Sequence, residues 1–245
     1  MSSSTDLDEV GKFARLAEQW WDPNGSFASL HMFNPIRLKF LRDVMAAHFT
    51  RDQRTPHPFD GLSLLDMGCG GGLLSEPMSR LGFTVTGCDA GEANVRAAAS
   101  HAQLGNLPIS YRCATADVLG DEGLIYDVLL AMEIVEHVAD LPKFIEECAR
   151  LLRPGGLVFI ATINKTLRSL VLAKFTAEYV LRWLPAGTHD WNRFVSPAEL
   201  SELLEKQGLK VSRLQGLVFD PFSWEWRLSE DAAVNYIAVA TTPRR

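Results

Sequence analysis

The sequence has 245 residues, 47% of them hydrophobic, and a formal net charge of −6 at pH 7, which suits one α/β domain with some additions better than two full domains. The acidic balance argues against a general nucleic-acid-binding protein, which normally presents a basic stripe, so we expect no nucleic-acid partner. Because the N-terminus lacks the apolar run of a signal peptide and no later run is apolar enough to span a bilayer, we expect a cytoplasmic protein.

Five apolar runs predict β-strands, and stretches with helical periodicity separate them. The predicted strands are residues 62–66, 83–89, 109–113, 126–132 and 156–163. The predicted helices, each ended by Gly or Pro-Gly, are residues 73–82, 92–105 and 141–156. Strands that alternate with helices in this way predict a doubly wound α/β fold, in which helices cover both faces of a mostly parallel sheet.

We expect residues 1–245 to form a single domain with additions on both sides of its core. The core occupies residues 59–163, and a mostly helical lead-in precedes it at 1–58. A helical insert at 164–206 interrupts the strand rhythm, and C-terminal strands follow at 207–245. The lead-in and the insert are candidate lids over the carboxyl edge of the sheet, where open α/β folds bind their ligands.

A glycine cluster opens directly after the first predicted strand. It consists of Gly68, Gly70, Gly71 and Gly72. Without Cβ atoms, the backbone there can turn tightly and approach a ligand closely. A dinucleotide-binding turn needs a small residue where this chain has Leu73, so the pattern departs from that fingerprint. The alternative without any ligand is a glycine-rich turn followed by a helix N-terminus.

Two acidic residues indicate which ligand the turn accepts. Asp66, at the end of the first predicted strand, would repel a pyrophosphate and favour a cationic ligand. S-adenosylmethionine fits, because it has an ammonium and a sulfonium but no phosphate. Asp89, at the end of the second predicted strand, is placed to accept hydrogen bonds from both ribose hydroxyls. We therefore predict S-adenosylmethionine as the cofactor.

The stretch LDMGCGGGLLSEPMSRLGFTVTGCD, residues 65–89, resembles the cofactor motif of class I methyltransferases. Three further segments, at 20–41, 131–140 and 177–200, are similar to the ubiquinone-biosynthesis O-methyltransferases, which methylate phenolic hydroxyls on a polyprenylated ring. The motifs NPIR and GTHDW within them are more specific than the glycine turn. The resemblance implies a Rossmann-like, seven-stranded sheet whose last strand is antiparallel, and residues 234–242 suit that strand.

The glycine turn and the resemblance together indicate the cofactor-binding residues. They are Arg37, Asp66, Gly68, Gly70, Asp89, Asp117 and Met132. Arg37 can pair with the cofactor carboxylate, although it could also be a surface cation of the lead-in. Asp117 can accept from the adenine amino group or serve as a turn or N-cap residue. Met132 suits either the adenine face or ordinary core packing.

The resemblance also implies the chemistry, in which a phenol oxygen attacks the sulfonium methyl in line and loses its proton. Glu133 and His137 are the candidate catalytic residues, with His137 as a direct general base in one alternative. In the other, Glu133, Glu136 and His137 bind a divalent metal, such as Mg, that lowers the phenol pKa. A purely structural Glu-His pair is the third alternative. His189 is a second candidate on the substrate side.

Residues 165–185 of the insert predict an amphipathic helix. One side carries the charged residues Lys174, Glu178 and Arg182. The opposite side carries Leu172, Val180, Leu181, Trp183 and Leu184. Such a helix suits a peripheral contact with the inner face of the membrane, where a polyprenylated substrate resides, but it could also be a lid packed on its own domain.

The expected partners are a polyprenylated phenol or quinol, namely a polyprenyl-dihydroxyphenol and demethylubiquinol, and a complex of ubiquinone-biosynthesis enzymes. Three other functions stay open. They are O-methylation of another small phenol, a non-catalytic cofactor-binding subunit, and a nicotinamide-dependent oxidoreductase, against which Leu73 and Asp66 argue.

Overall fold

The structure, a computed structural model, describes residues 4–169, 191–220, 222–223 and 225–244. The apolar and charged residues expected to face a membrane in the 165–185 helix therefore lie outside the described residues, as does His189. Only the beginning of that stretch is described, as one helical turn at Leu167–Ser169. No helix in the described parts of the chain is long and apolar enough to cross a bilayer.

One mixed sheet organises the described residues. Its strands are β1 Ser63–Met67, β2 Thr84–Asp89, β3 Ser110–Cys113, β4 Tyr126–Met132, β5 Leu152–Ile163, β6 Lys210–Asp220, β7 Glu225–Ser229 and β8 Asn235–Thr241. Their order across the sheet is β3-β2-β1-β4-β5-β8-β6-β7. β1 to β5 are parallel, whereas β8 runs antiparallel to both β5 and β6. The predicted doubly wound α/β fold with an antiparallel last strand is confirmed.

The described sheet has eight strands, one more than the seven expected. The additional strand, β7, pairs antiparallel with β6 and forms the edge of the sheet. Asp220 begins the turn between them, where its carboxylate accepts from the backbone N–H groups of Phe222 and Ser223. This side-chain turn reverses the chain directly, so the short run from Glu225 to Ser229 can pair back on β6.

Helices cover the sheet on both faces. They are α1 Leu7–Ala14, α2 Ala28–His48, α3 Ser75–Arg80, α4 Glu92–Leu104, α5 Ala116–Asp121, α6 Leu141–Arg150, α7 Leu167–Ser169 and α8 Pro197–Lys206. Short 3₁₀ turns lie at Ala17–Gln19, Val135–His137 and Trp191–Arg193. Side chains of Asp6, Asp140 and Ser196 accept backbone N–H groups at the starts of α1, α6 and α8, which satisfies donors that a helix N-terminus leaves open.

The core has two layers because successive strand residues point to opposite faces. Leu129 packs with residues of α6 and α8, whereas its neighbour Leu130 packs with Phe40, Leu41 and Met45 of α2. The central strands are thus apolar on both sides, as expected for a doubly wound sheet. Helix α2 of the lead-in is therefore part of the core and not only a cover.

The first residues of the lead-in lie across the carboxyl edge of the sheet. Ser4 donates to the buried carboxylate of Glu147 at 2.6 Å, and Thr5 forms an antiparallel bridge with Val138. Arg193, within the insert, donates to Asp6 at 2.8 Å. These contacts tie the start of the chain to α6 and to the insert, above the ends of β1 and β4.

Candidate active site

A cavity of about 120 Å³ lies at the carboxyl edge of the sheet, where β1 sits between β2 and β4. From the strand ends it is lined by Met67, Gly68, Gly70, Asp89, Thr115 and Glu133. From the lead-in it is lined by Asp6, Glu9, Val10, Phe13 and Trp20. Open α/β sheets bind ligands at this switch in strand order. The cavity is therefore the candidate active site, with the lead-in as one wall.

The glycine turn at the floor of this cavity requires glycine for two reasons. Gly68, Gly70 and Gly72 have φ values of +74°, +52° and +86°, a region that residues with a Cβ rarely adopt. A Cβ on Gly70 would also lie 2.5 Å from the ring of Trp20. The backbone N–H of Gly68 donates to the Cys88 carbonyl at 2.7 Å, which ties the turn to the end of β2.

Asp89 is held at the cavity by three donors. Its Oδ2 accepts from the backbone N–H of Gly70 at 3.0 Å. Its Oδ1 accepts from the backbone N–H of Gly91 at 2.7 Å and from Asn94 Nδ2 at 3.1 Å. Burial raises the pKa of Asp89, although these hydrogen bonds act to lower it. Since a carboxylate has about four acceptor positions, one on Oδ2 stays open for a ligand hydroxyl.

Arg37 and Asp66 lie beneath the site and do not line the cavity. Asp66 accepts from Ser75 Oγ at 2.6 Å, and burial raises its pKa to about 6. Arg37 is 3% exposed, donates to Asn34, and lies 3.6 Å from Glu133 Oε1 through Nη1. Within the described residues, Arg37 Nε and Nη1 make no hydrogen bond. A buried guanidinium with open N–H groups fits an anionic ligand group such as a carboxylate.

The remaining expected cofactor residues lie at the margin of the site. Met132 packs in the hydrophobic layer that includes Leu130 and Phe159, and it does not line the cavity. Asp117 lies in the first turn of α5 and accepts from Thr115 Oγ1, which lowers its pKa. Its neighbours Thr115 and Ala116 line the cavity, whereas Asp117 does not.

Glu133 and His137, the two candidate catalytic residues, both line the cavity. Glu133 has a φ of +57°, an unusual backbone conformation of the kind often found at functional sites. Burial and the charge of Glu136 raise the pKa of Glu133, against the effect of Arg37. His137 Nδ1 lies 2.9 Å from Glu9 Oε2 of the lead-in. Burial disfavours the imidazolium, but the Glu9 hydrogen bond and the charge of Glu136 outweigh burial and raise the pKa of His137.

The three expected metal ligands do not converge in this arrangement. Glu136 is buried and accepts from Thr162 Oγ1 at 2.7 Å, while Glu133 faces Arg37 and His137 faces Glu9. Among the residues that the structure describes, no group of three or more His, Cys, Asp or Glu side chains is placed to hold a metal ion. Thr162 and Glu9 hold Glu136 Oε2 and His137 Nδ1, so a metal would need Glu136 Oε1, His137 Nε2 and Glu133 to turn towards one point. These residues therefore do not fit a metal as they stand.

Four cavity residues that make notable contacts are not evident from the sequence: Glu9, Phe13, Trp20 and Asn94. Phe13 meets the His137 ring edge to face, with centroids 5.0 Å apart. Trp20 donates to Asn94, 74 positions later in the chain. The adjacent tryptophans at 20 and 21 are the one local signal, because two large aromatics beside a Pro-Asn-Gly turn indicate a packing site but not its partner.

Comparison with known proteins agrees with this geometry. A family model described as a methyltransferase domain matches residues 37–214. The ubiquinone biosynthesis O-methyltransferase of Chelativorans sp. (strain BNC1) is 51% identical, over 98% of this chain and 95% of its own length. The protein of the same name from Caulobacter sp. (strain K31) is 52% identical, over 98% and 96%.

A solved structure, magnesium protoporphyrin IX methyltransferase from Synechocystis PCC 6803 with bound SAH, shares the fold. Its TM-score is 0.62 at 20% identity, and the match covers 96% of this chain and 94% of that one. Three findings lead to one conclusion. They are the cavity with its glycine turn, the match to a methyltransferase domain, and relatives that are about half identical over nearly the full length. The chain belongs to the ubiquinone biosynthesis O-methyltransferase family and is an S-adenosylmethionine-dependent methyltransferase.

Proposed function

We propose that this O-methyltransferase methylates a phenolic hydroxyl of polyprenylated ubiquinone precursors, namely a polyprenyl-dihydroxyphenol and demethylubiquinol. The observation that carries the proposal is the identity of about half of all positions with relatives of that name, over 98% of the chain. The match spans nearly the whole chain, insert included, which supports a shared acceptor as well as a shared cofactor.

The cofactor would lie across the ends of β1, β2 and β4. In this arrangement, Gly68 and Gly70 let the backbone approach it, and Asp89 accepts from a ribose hydroxyl through its open Oδ2 position. Acceptance from both ribose hydroxyls requires one present donor to Asp89 to move away. Arg37 would pair with the cofactor carboxylate through its open Nε and Nη1 groups. Asp117 would reach the adenine edge from the first turn of α5, and Met132 would support it from below.

The bound cofactor supplies an electrophilic methyl group, so the protein must orient the phenol and take its proton. We assign this proton to Glu133 or His137, which both line the cavity and both have raised pKa values. Glu133 acts as the base when it is ionised beside Arg37. His137 would use Nε2, because Glu9 holds Nδ1. No step is assigned to a metal ion.

The decisive experiment incubates the protein with labelled S-adenosylmethionine and short-chain prenylated catechols and demethylubiquinols, with an unprenylated catechol for comparison. Methylation of the prenylated acceptors in preference to the unprenylated one supports the proposal. Equal turnover of both would instead indicate an enzyme for small phenols, and cofactor binding without any turnover would indicate a non-catalytic subunit. Glu133→Gln and His137→Asn then identify the base, because loss of kcat with retained cofactor affinity assigns the proton transfer.

We further propose that the protein contacts the membrane surface through residues 165–185 and works beside other enzymes of the same pathway. Support comes from the amphipathic pattern of this stretch and from an acceptor that partitions into lipid. Wild-type protein should sediment with anionic liposomes, and polar replacement of Leu172, Val180 and Trp183 should release it while turnover of a soluble acceptor persists. No sedimentation at low salt would refute the contact and leave a lid as the alternative.

A further inference from the structure

Trp20 lies where the lead-in meets the glycine turn. It is buried, lines the cavity, and stacks on Phe27 with ring centroids 3.7 Å apart. Its atoms fill the space beside two glycines, since a Cβ on Gly70 or Gly71 would lie 2.5 or 2.3 Å from Trp20. Trp20 therefore contacts the turn directly, although it precedes that turn by 50 positions.

A hydrogen-bond chain connects this indole to the carboxylate at the end of β2. Trp20 Nε1 donates to Asn94 Oδ1 at 3.0 Å, and Asn94 Nδ2 donates to Asp89 Oδ1 at 3.1 Å. Asn94 projects from the first turn of α4 and is 3% exposed. Water has little access to it, so its orientation depends on these two protein partners.

The chemistry of the three groups gives the chain a direction. An indole N–H can only donate, so the oxygen of the Asn94 amide must face Trp20. The amide NH₂ then faces Asp89, where an ionised carboxylate can only accept. A flipped amide would place its NH₂ against the indole N–H and its oxygen against the carboxylate, and both contacts would be repulsive. Trp20 and Asp89 thus favour the same orientation of Asn94, and Trp20 holds its oxygen end in place.

We propose that Trp20 is a positioning residue for the cofactor ribose. It orients Asn94, which holds Asp89 Oδ1, so that Oδ2 stays directed at the cavity for a ribose hydroxyl. The inference rests on the ribose-binding role proposed for Asp89. It makes the lead-in part of the cofactor site, because the residue that orients the carboxylate comes from the segment that also forms the wall above it.

The test is Trp20→Phe, which keeps an aromatic ring on Phe27 and removes the N–H group. Calorimetry compares the affinity for S-adenosylhomocysteine with that for its 2′,3′-dideoxy analogue, which lacks the ribose hydroxyls. We expect the variant to bind S-adenosylhomocysteine about 5- to 10-fold more weakly, which lies within the range for losing one hydrogen bond between uncharged groups. The affinity for the dideoxy analogue should change less than about 2-fold, since that ligand makes no contact that depends on Asp89.

A double-mutant cycle with Asn94→Ala shows whether Trp20 acts through Asn94. Asn94→Ala alone should show the same ribose-dependent loss, and adding Trp20→Phe should cause little more. Trp21→Phe is the matched control, because Trp21 donates to the Gly71 carbonyl at 2.9 Å and stacks on His101 instead. Any effect of Trp21→Phe should be equal for the two ligands.

Each of the following results would overturn the inference or the role of Asp89 on which it rests. Equal weakening of both ligands by Trp20→Phe would give Trp20 a packing role only, and additive losses in the cycle would remove Asn94 as the link. If the wild-type protein binds both ligands equally, the role of Asp89 itself is refuted. If Trp20→Phe prefers S-adenosylhomocysteine over the dideoxy analogue as strongly as the wild type does, only the role of Trp20 is refuted. If Trp20→Phe does not fold, Asn94→Ala with unchanged discrimination would overturn the inference equally.

Discussion

Asp66 should make the protein less stable as the pH rises from about 4 to about 6. Burial raises its pKa in the folded protein from 3.8 to about 6, in spite of the hydrogen bond from Ser75 and the charge of Arg37. Between these two values the folded state binds more protons than the unfolded state, so the free energy of unfolding falls with increasing pH. A shift of about 2 pKa units corresponds to about 3 kcal/mol, fully expressed above the folded pKa.

The perturbation is Asp66→Asn, which keeps an acceptor for Ser75 and removes the ionisable group. Denaturant unfolding of both proteins between pH 4 and pH 7 gives the difference in the free energy of unfolding. That difference should shift by about 3 kcal/mol in favour of the variant as the pH rises. Any pH-independent cost of the new amide cancels, because the comparison uses only how the difference in unfolding free energy changes with pH.

Asp231→Asn is the matched control. Hydrogen bonds from the Ala233 N–H and from Arg168 lower the pKa of this exposed carboxyl group. Its stabilising contribution is therefore lost only as the pH falls below about 3.8, so the difference for Asp231→Asn should stay nearly constant between pH 4 and pH 7. If the difference in unfolding free energy for Asp66→Asn stays constant across this range, burial does not raise the pKa of Asp66.

Three further predictions concern the site and its frame. Arg37→Met should weaken S-adenosylhomocysteine binding, measured by calorimetry, by about 1.5–3 kcal/mol through loss of a charge-assisted contact, and leave adenosine binding nearly unchanged. Equal losses for both ligands would show that Arg37 does not contact the cofactor carboxylate. Gly70→Ala should abolish cofactor binding and lower the melting temperature, because its Cβ meets Trp20 at 2.5 Å; normal affinity would mean that Trp20 moves freely. Tyr236→Phe should cost about 1 kcal/mol in denaturant unfolding by removing the buried hydrogen bond to the Val195 carbonyl, and a neutral result would refute that anchor.

The central strands could be predicted because burial on both faces leaves a strong signal in the sequence. Expected residues 126–132 coincide with β4, expected residues 62–66 are shifted by one position from β1, and expected residues 83–89 begin one position before β2. β6 and β7, at one side of the sheet, gave no such run. β6 places several polar residues in its exposed first half, and β7 is five residues long with an exposed face, so neither shows the continuous apolar pattern of a buried parallel strand.

The candidate site, too, could be predicted from the sequence only in part. Gly68, Asp89 and Glu133 end strands, so knowledge of the sheet alone places them at one edge and near one another. The contributions of the lead-in depend on tertiary packing that sequence spacing does not encode. Glu9 reaches His137 across 128 positions, and Trp20 reaches Asn94 across 74. In the proposed function, side chains at the sheet edge would supply the cofactor and acceptor contacts, whereas Glu9 and Trp20 of the lead-in would orient two of those side chains.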